Sequence, residues 1–283
     1  MNIQWFPGHM TKAIRMMSEN VRLVDGIIYL LDARAIASCI NPTFDKIIGD
    51  KPVLYVVLKI DLVEKTDIDE WKAYFDKNGK NYVFINSLDN QSGSKVVARF
   101  NDMLKSVAEK YENKGVNKTL RGMVIGVPNS GKSTLINCIA KSKRAVTGDK
   151  AGVTKGKQWV TISNRLELLD TPGTLCPQFD SKRIAENIAF IGSINENILD
   201  VSDLCLLLIE RLKEVAPTLL QDRYKLKDMG KTPLEIYEEI CKNRGFLLKG
   251  GDFDYERCAR AVIDDFRKQK IGKIMLDKPK DVL

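Results

Sequence analysis

Residues 126–134, Gly-Val-Pro-Asn-Ser-Gly-Lys-Ser-Thr, satisfy the pattern G-x-x-x-x-G-K-[ST] without a gap. The chemistry this spacing supports is the cradling of a polyphosphate, because backbone N–H groups of the loop and of the helix that follows converge on phosphate oxygens. Gly126 and Gly131 permit the tight turn, Lys132 reaches the outer phosphates, and the Ser133 hydroxyl is a magnesium ligand. Pro128, Asn129, Ser130 and Thr134 complete the phosphate-facing set. A strand-like run, Gly122-Met123-Val124-Ile125, precedes the loop, and a helical pattern from Leu135 to Ala140 follows it. Strand, glycine-rich loop and helix is the context the motif requires.

Downstream, Leu168-Leu169-Asp170-Thr171-Pro172-Gly173 reads as an apolar strand ending in a second phosphate-facing loop. Asp170 is placed to hold magnesium through water, and the Gly173 N–H to meet the terminal phosphate. Thr154, between the two loops, offers a hydroxyl at a switch position and a further magnesium ligand. Together these point to a nucleoside-triphosphate hydrolase. Nothing after residue 173 resembles the guanine-reading Asn-Lys-x-Asp. The candidate lies upstream, in Val53-Leu54-Tyr55-Val56-Val57-Leu58-Lys59-Ile60-Asp61. Its apolar run reads as a buried parallel strand, with Lys59 and Asp61 at the carboxyl end where ligands bind in open α/β sheets. Asp61 would accept hydrogen bonds from the guanine ring, the Lys59 stem would cover the base, and Asn86 and Ser87 would supply a backbone contact. Base reading therefore precedes phosphate binding, a circular permutation of the usual GTPase order.

The elements that must position these residues follow from periodicity. Strands expected at 25–31, 53–58, 82–85 and 122–125 alternate with helices, which implies a doubly wound, mainly parallel α/β sheet. Thr11 reads as a helix cap, and residues 95–110 as one helix. From Ser181 onward the pattern is helical: 184–191, 201–215, 233–243 and 255–268, with Pro217 read as a break. The expected division is a GTPase domain with an N-terminal helical extension over residues 1–178, and a small all-α domain over residues 179–283.

Six scattered cysteines with no C-x-x-C pair argue against a zinc site or a disulfide frame. No run of 18 apolar residues and no signal-peptide design is present, so the expectation is a cytoplasmic protein with no membrane partner. The net charge of +8 is concentrated in the first 180 residues. Lys141, Lys143, Arg144, Lys150, Lys155 and Lys157 surround the switch position against a single Asp149. Two readings of this stretch stand side by side: a solvated loop, or a surface for a polyanionic partner.

The permuted order, Trp5-Phe6-Pro7-Gly8-His9-Met10, Asp32-Ala33-Arg34, Pro128-Asn129-Ser130-Gly131-Lys132-Ser133 and Asp170-Thr171-Pro172-Gly173 together resemble the YlqF/RbgA family of bacterial circularly permuted GTPases. The resemblance covers nearly the whole chain, including Lys249-Gly250-Gly251 and Asp264-Asp265-Phe266-Arg267. It implies a monomeric GTPase that binds an immature large ribosomal subunit and its rRNA, hydrolyses GTP with Mg2+, and thereby times late assembly and its own release. It also implies a potassium ion held by Asn129, and a water-orienting role for His9, the only histidine. His9, Lys132 and Gly173 are then the catalytic set. Three positions depart from the family pattern: Leu58 replaces the base-reading asparagine, Ile36 the proline after Asp-Ala-Arg, and Thr174 an apolar residue. The alternative is a nucleotide-gated RNA-binding assembly scaffold with negligible turnover.

Overall fold

The computed structural model describes residues 8–142, 158–175, 179, 181–195 and 199–282, with only the backbone described at 8–10, 141, 142 and 158. Thr154, most of the basic stretch around it and the first seven residues lie outside this set. The His9 backbone lies in a helix and its side chain is outside the described residues.

Among the described residues, six strands build one sheet: β1 (Gly26–Asp32), β2 (Val53–Leu58), β3 (Asn81–Phe84), β4 (Leu120–Gly126), β5 (Gln158–Ser163) and β6 (Leu166–Asp170). Their spatial order is β3-β2-β1-β4-β6-β5. Every pair is parallel except β5 with β6, so the mainly parallel, doubly wound sheet is as expected. The centre is the β1–β4 pair, in register from Gly26 opposite Gly122 to Leu30 opposite Gly126. Chain direction of travel across the sheet reverses here, and the crevice beyond the carboxyl ends of β1 and β4 is where such a sheet binds ligands.

Successive residues on a strand face opposite sides, so the continuous apolar runs fill two cores. Ile28, Leu30, Leu54, Val56, Leu58, Val124 and Leu168 pack with Val96, Val97 and Phe100 of α5 (Ser92–Met103) and with Leu135, Ile136 and Ile139 of α7 (Lys132–Ser142). On the other face Ile27, Tyr29, Leu31, Tyr55, Val57, Met123 and Leu169 meet α1 (Gly8–Asn20), α3 (Pro42–Ile48) and α4 (Lys65–Lys77). A run of rings, Tyr29, Tyr55 and Phe75, stacks there with centroids 5.5–5.6 Å apart.

This second core continues without a gap into α8 (Lys182–Phe190), α9 (Val201–Val215), α10 (Pro217–Tyr224), α11 (Pro233–Arg244) and α12 (Tyr255–Arg267). Several of them open on a side-chain cap. Ser181 caps α8 by accepting from the Ile184 N–H, Asp200 caps α9, and Thr232 with Glu235 forms a capping box at α11.

Three expectations are corrected and one strand is added. Thr11 is not a cap, because α1 already begins at Gly8. The helix expected over 95–110 is two, α5 and α6 (Lys105–Glu112), broken at the fully buried Leu104. The Leu104 N–H is shared between the carbonyls of Phe100 and Asn101, a tightening that ends α5. Pro217 opens α10 instead of only breaking the chain, since the first helical position needs no N–H donor. Finally, β5 adds an antiparallel edge strand between the two phosphate-facing loops.

Candidate nucleotide site

The loop between β4 and α7 is held in a shape that turns backbone N–H groups inward. Asn129 and Gly131 both have positive φ, 55° and 100°, and the Ser130 N–H closes on the Val127 carbonyl at 3.3 Å. Alternation of this kind makes an anion-binding concavity at a helix N-terminus. The Lys132 side chain folds back over the loop, where Nζ donates to the carbonyls of Val127 (2.8 Å) and Gly126 (3.2 Å) and lies 3.4 Å from Ser130 Oγ. Lys132 is 8% exposed. Burial lowers its ammonium to about 8, against an opposing pull from Asp170. The group is thus a buried cation at the floor of the loop, placed to pair with an anion.

Gly173 completes the floor. A Cβ there would lie 2.6 Å from Pro128 Cα and 2.7 Å from Lys132 Nζ, so only glycine allows the second loop to approach the first so closely. Two bonds seat this loop on β4: the Thr171 hydroxyl donates to the Val124 carbonyl at 2.6 Å, and the Thr174 N–H to that of Gly126 at 3.3 Å. Thr174 is fully buried, its hydroxyl without a hydrogen-bond partner. Its side chain is therefore packed into the protein and does not take a glutamine's place beside the phosphates. Asp170 is buried at the end of β6, and Ser133 and Thr134 are exposed in the first turn of α7. A hydroxyl and a carboxylate are the hard oxygen donors that Mg2+ takes alongside phosphate oxygens and water, so Ser133 and Asp170 fit that ion.

At the ends of β1 and β2 the structure shows a network whose members sequence reasoning had not joined. Asp32, 1% exposed, receives Arg34 through two bonds, Nε at 2.9 Å and Nη2 at 2.8 Å, and Lys59 Nζ at 2.7 Å. Burial alone would raise this carboxyl. The adjacent Arg34 and Lys59 charges overcome burial and hold it well below the usual carboxylate range. Lys59 adopts a left-handed backbone (φ 61°), and its Nζ also lies 3.4 Å from the Asn129 carbonyl. The end of β2 and the phosphate loop are thereby linked although Leu58 stands where the family pattern has asparagine. Leu58 adds a second link, because its Cδ1 lies 3.0 Å from where a Cβ on Gly131 would stand. Apolar packing thus supplies a tie between the two loops where an asparagine would supply a hydrogen bond.

Asp61 is exposed in a short turn after β2, with Asn86 and Ser87 half-buried after the neighbouring β3. The Asn86 side chain is engaged locally, accepting from the Leu88 N–H at 2.9 Å. Asn129 reaches the other way: its Nδ2 donates to the Gly192 carbonyl, just past α8, at 2.8 Å. Arg267 of α12 caps the same helix end, donating to the carbonyls of Phe190 (2.9 Å) and Ala189 (3.0 Å).

Comparison with known proteins agrees with this arrangement. Residues 121–239 match the family model described as 50S ribosome-binding GTPase. That match begins at β4, and so leaves out the strands that carry Lys59 and Asp61. Ribosome biogenesis GTPase A of Bacillus pumilus is 37% identical over 280 residues, covering 99% of both chains. The protein of that name from Thermotoga maritima is 28% identical over 99% of this chain and 96% of its own. The crystal structure of GNP-bound YlqF from T. maritima superposes with a TM-score of 0.67 at 26% identity, covering 95% of this chain and 99% of that one. A phosphate loop, a glycine-floored second loop and the end of β2, which comes earlier in the chain, converge at one sheet crevice. With full-length relatives of the same name, they show that this chain is a GTP-hydrolysing member of the ribosome biogenesis GTPase A family.

Proposed function

We propose that this GTPase binds an immature large ribosomal subunit through its rRNA, and that GTP hydrolysis times both a late assembly step and its own release. The observation that carries the reading is the bond from Asn129, in the phosphate loop, to the Gly192 carbonyl at the end of α8. Any change in that loop on loss of the terminal phosphate is transmitted directly to the helices beyond residue 179, the region we assign to the ribosomal particle. The names of the full-length relatives and the chain's net charge of +8 support a ribosomal, polyanionic partner.

Lys132 and the Gly173 N–H hold the terminal phosphate, and Ser133, Thr154 and Asp170 are the magnesium set. Asn129, whose Nδ2 is fixed by Gly192, has its Oδ1 to offer a potassium ion. Such cations neutralise charge that builds on the phosphoryl oxygens in the transition state. Asp61 reads guanine, with Lys59, Asn86 and Ser87 beside it. His9, at the start of α1, orients the attacking water, a role that the buried Thr174 does not fill.

Multiple-turnover phosphate release, measured with and without large-subunit precursors, tests the proposal. Stimulation by the particle is expected, and His9→Ala is expected to reduce stimulated turnover about tenfold or more with little change in GTP affinity. Turnover indifferent to the particle would refute the timing role. Unchanged stimulated turnover in the variant would remove His9 from it.

A further inference from the structure

Beyond α12 the chain does not leave the surface. It runs back along the loops at the carboxyl ends of β1 and β2 and bonds to each in turn. Gln269 Nε2 donates to the Asp61 carbonyl at 2.9 Å. The Ile274 N–H donates to the Leu62 carbonyl at 3.2 Å, and that of Leu276 to the Arg34 carbonyl at 2.7 Å. The Asp277 carboxylate, 2% exposed, accepts from the N–H groups of Ser38 (2.8 Å) and Ala37 (3.2 Å). Lys278 then closes the run on Asp67 and Glu70 of α4.

The target of this strap is the turn that carries Asp61. Within itself that turn has one backbone bond, Leu62 N–H to the Lys59 carbonyl at 3.0 Å. Gln269 approaches from a left-handed backbone (φ 63°), a conformation that a non-glycine residue adopts at a cost. Strain of that kind persists only where surrounding structure holds it, and here the side chain so presented lands on the Asp61 carbonyl.

We infer that residues 269–278 form a strap that positions the base-reading turn, and that Gln269 is a specificity-determining positioning residue for the purine. The inference rests on the reading that Asp61 recognises guanine. A carboxylate meets both N1–H and the exocyclic amino group of guanine only if its backbone is held. A purine without that amino group, hypoxanthine, offers a single donor and gains less from the alignment. Releasing the Asp61 carbonyl therefore erodes the preference for guanine over hypoxanthine as well as overall affinity.

The test measures dissociation constants of GDP and IDP for the full chain and four variants. Gln269→Gly removes the amide while relieving the left-handed backbone, so the fold is retained. It is expected to shrink the GDP-over-IDP preference about three- to tenfold, the effect of one misaligned hydrogen bond. Gln269→Glu, of the same length but unable to donate, is expected to do the same. Gln269→Lys, which keeps a donor of similar reach, is expected to retain the parental ratio. Asp61→Ala separates the two ideas. If it abolishes the preference and Gln269→Gly leaves it intact, the strap inference alone is wrong. If Asp61→Ala itself leaves the preference unchanged, Asp61 does not read the base, and the inference falls with that reading.

Discussion

Nucleotide binding by this protein is expected to take up a proton at mildly alkaline pH. In the free protein the Lys132 ammonium is buried against the Val127 and Gly126 carbonyls, and burial lowers it to about 8. A phosphate placed over it restores a full counter-charge, returning the group to its ordinary range near 10.4. Binding then protonates whatever fraction of Lys132 was neutral: about 0.1 proton at pH 7, about 0.5 at pH 8 and about 0.9 at pH 9. The linked affinity falls as pH rises above 8, approaching about tenfold per pH unit. The same shift has the opposite sign for folding. The unfolded chain binds the extra proton between pH 8 and 10, so stability rises with pH across that window. Calorimetric titration with GDP in two buffers of different ionisation enthalpy, at pH 7 and pH 9, reads the proton count directly. Equal heats in the two buffers at pH 9 would refute the reasoning, because Lys132 would then already be fully charged before the phosphate arrives.

Further expectations follow from buried groups near the crevice. Asp32→Asn leaves the Arg34 guanidinium buried without its counter-charge and should destabilise the fold by about 3–5 kcal/mol in denaturant titration. Leu58→Asn exchanges a buried apolar contact with the phosphate loop for an amide, at about 1–3 kcal/mol of stability. Among folded molecules it should tighten GTP binding several-fold and leave ATP binding nearly unchanged; equal gains for both would contradict the base-reading role of this strand end. Thr174→Val removes a buried hydroxyl that has no partner and should raise the unfolding free energy by up to about 1–2 kcal/mol without changing turnover. A drop in turnover would show that the hydroxyl acts in the site.

The parts of the site that could be read in advance are those whose spacing is covalent. Gly126 to Thr134 span one strand end, its loop and the first turn of α7, and Asp170 to Gly173 one strand end and its loop, so their order along the chain is their order in space. The buried strands were equally legible, since a parallel sheet covered on both faces needs uninterrupted apolar runs. What could not be read depends on partners distant in sequence. Asp32, Arg34 and Lys59 meet only because β1 and β2 are neighbours, and Asn129 meets Gly192 only because α8 ends beside the phosphate loop. Leu104 carries no glycine or proline to announce the break between α5 and α6; its apolar period continues across the break. A signal for β5 was present in Trp159-Val160-Thr161-Ile162, a β-branched and aromatic run beside the basic stretch.

The central β1–β4 pair also has a consequence for how the protein is made. Residues that are adjacent across it, such as Gly26 and Gly122, are roughly a hundred positions apart, a long loop to close before the pairing rewards it. On the ribosome that synthesises it, the emerging chain therefore presents the three N-terminal strands first, with the inner edge of β1 open and the Asp61 turn not yet held by residues 269–278. The phosphate loop arrives only with β4, and its glycine floor later still with β6. An incomplete chain can carry β1 to β3 without the phosphate loop or the Gly173 loop. Nucleotide capture thus reports that synthesis has passed the second loop, and the open β1 edge makes the interval before it the vulnerable stage for mispairing with other strands.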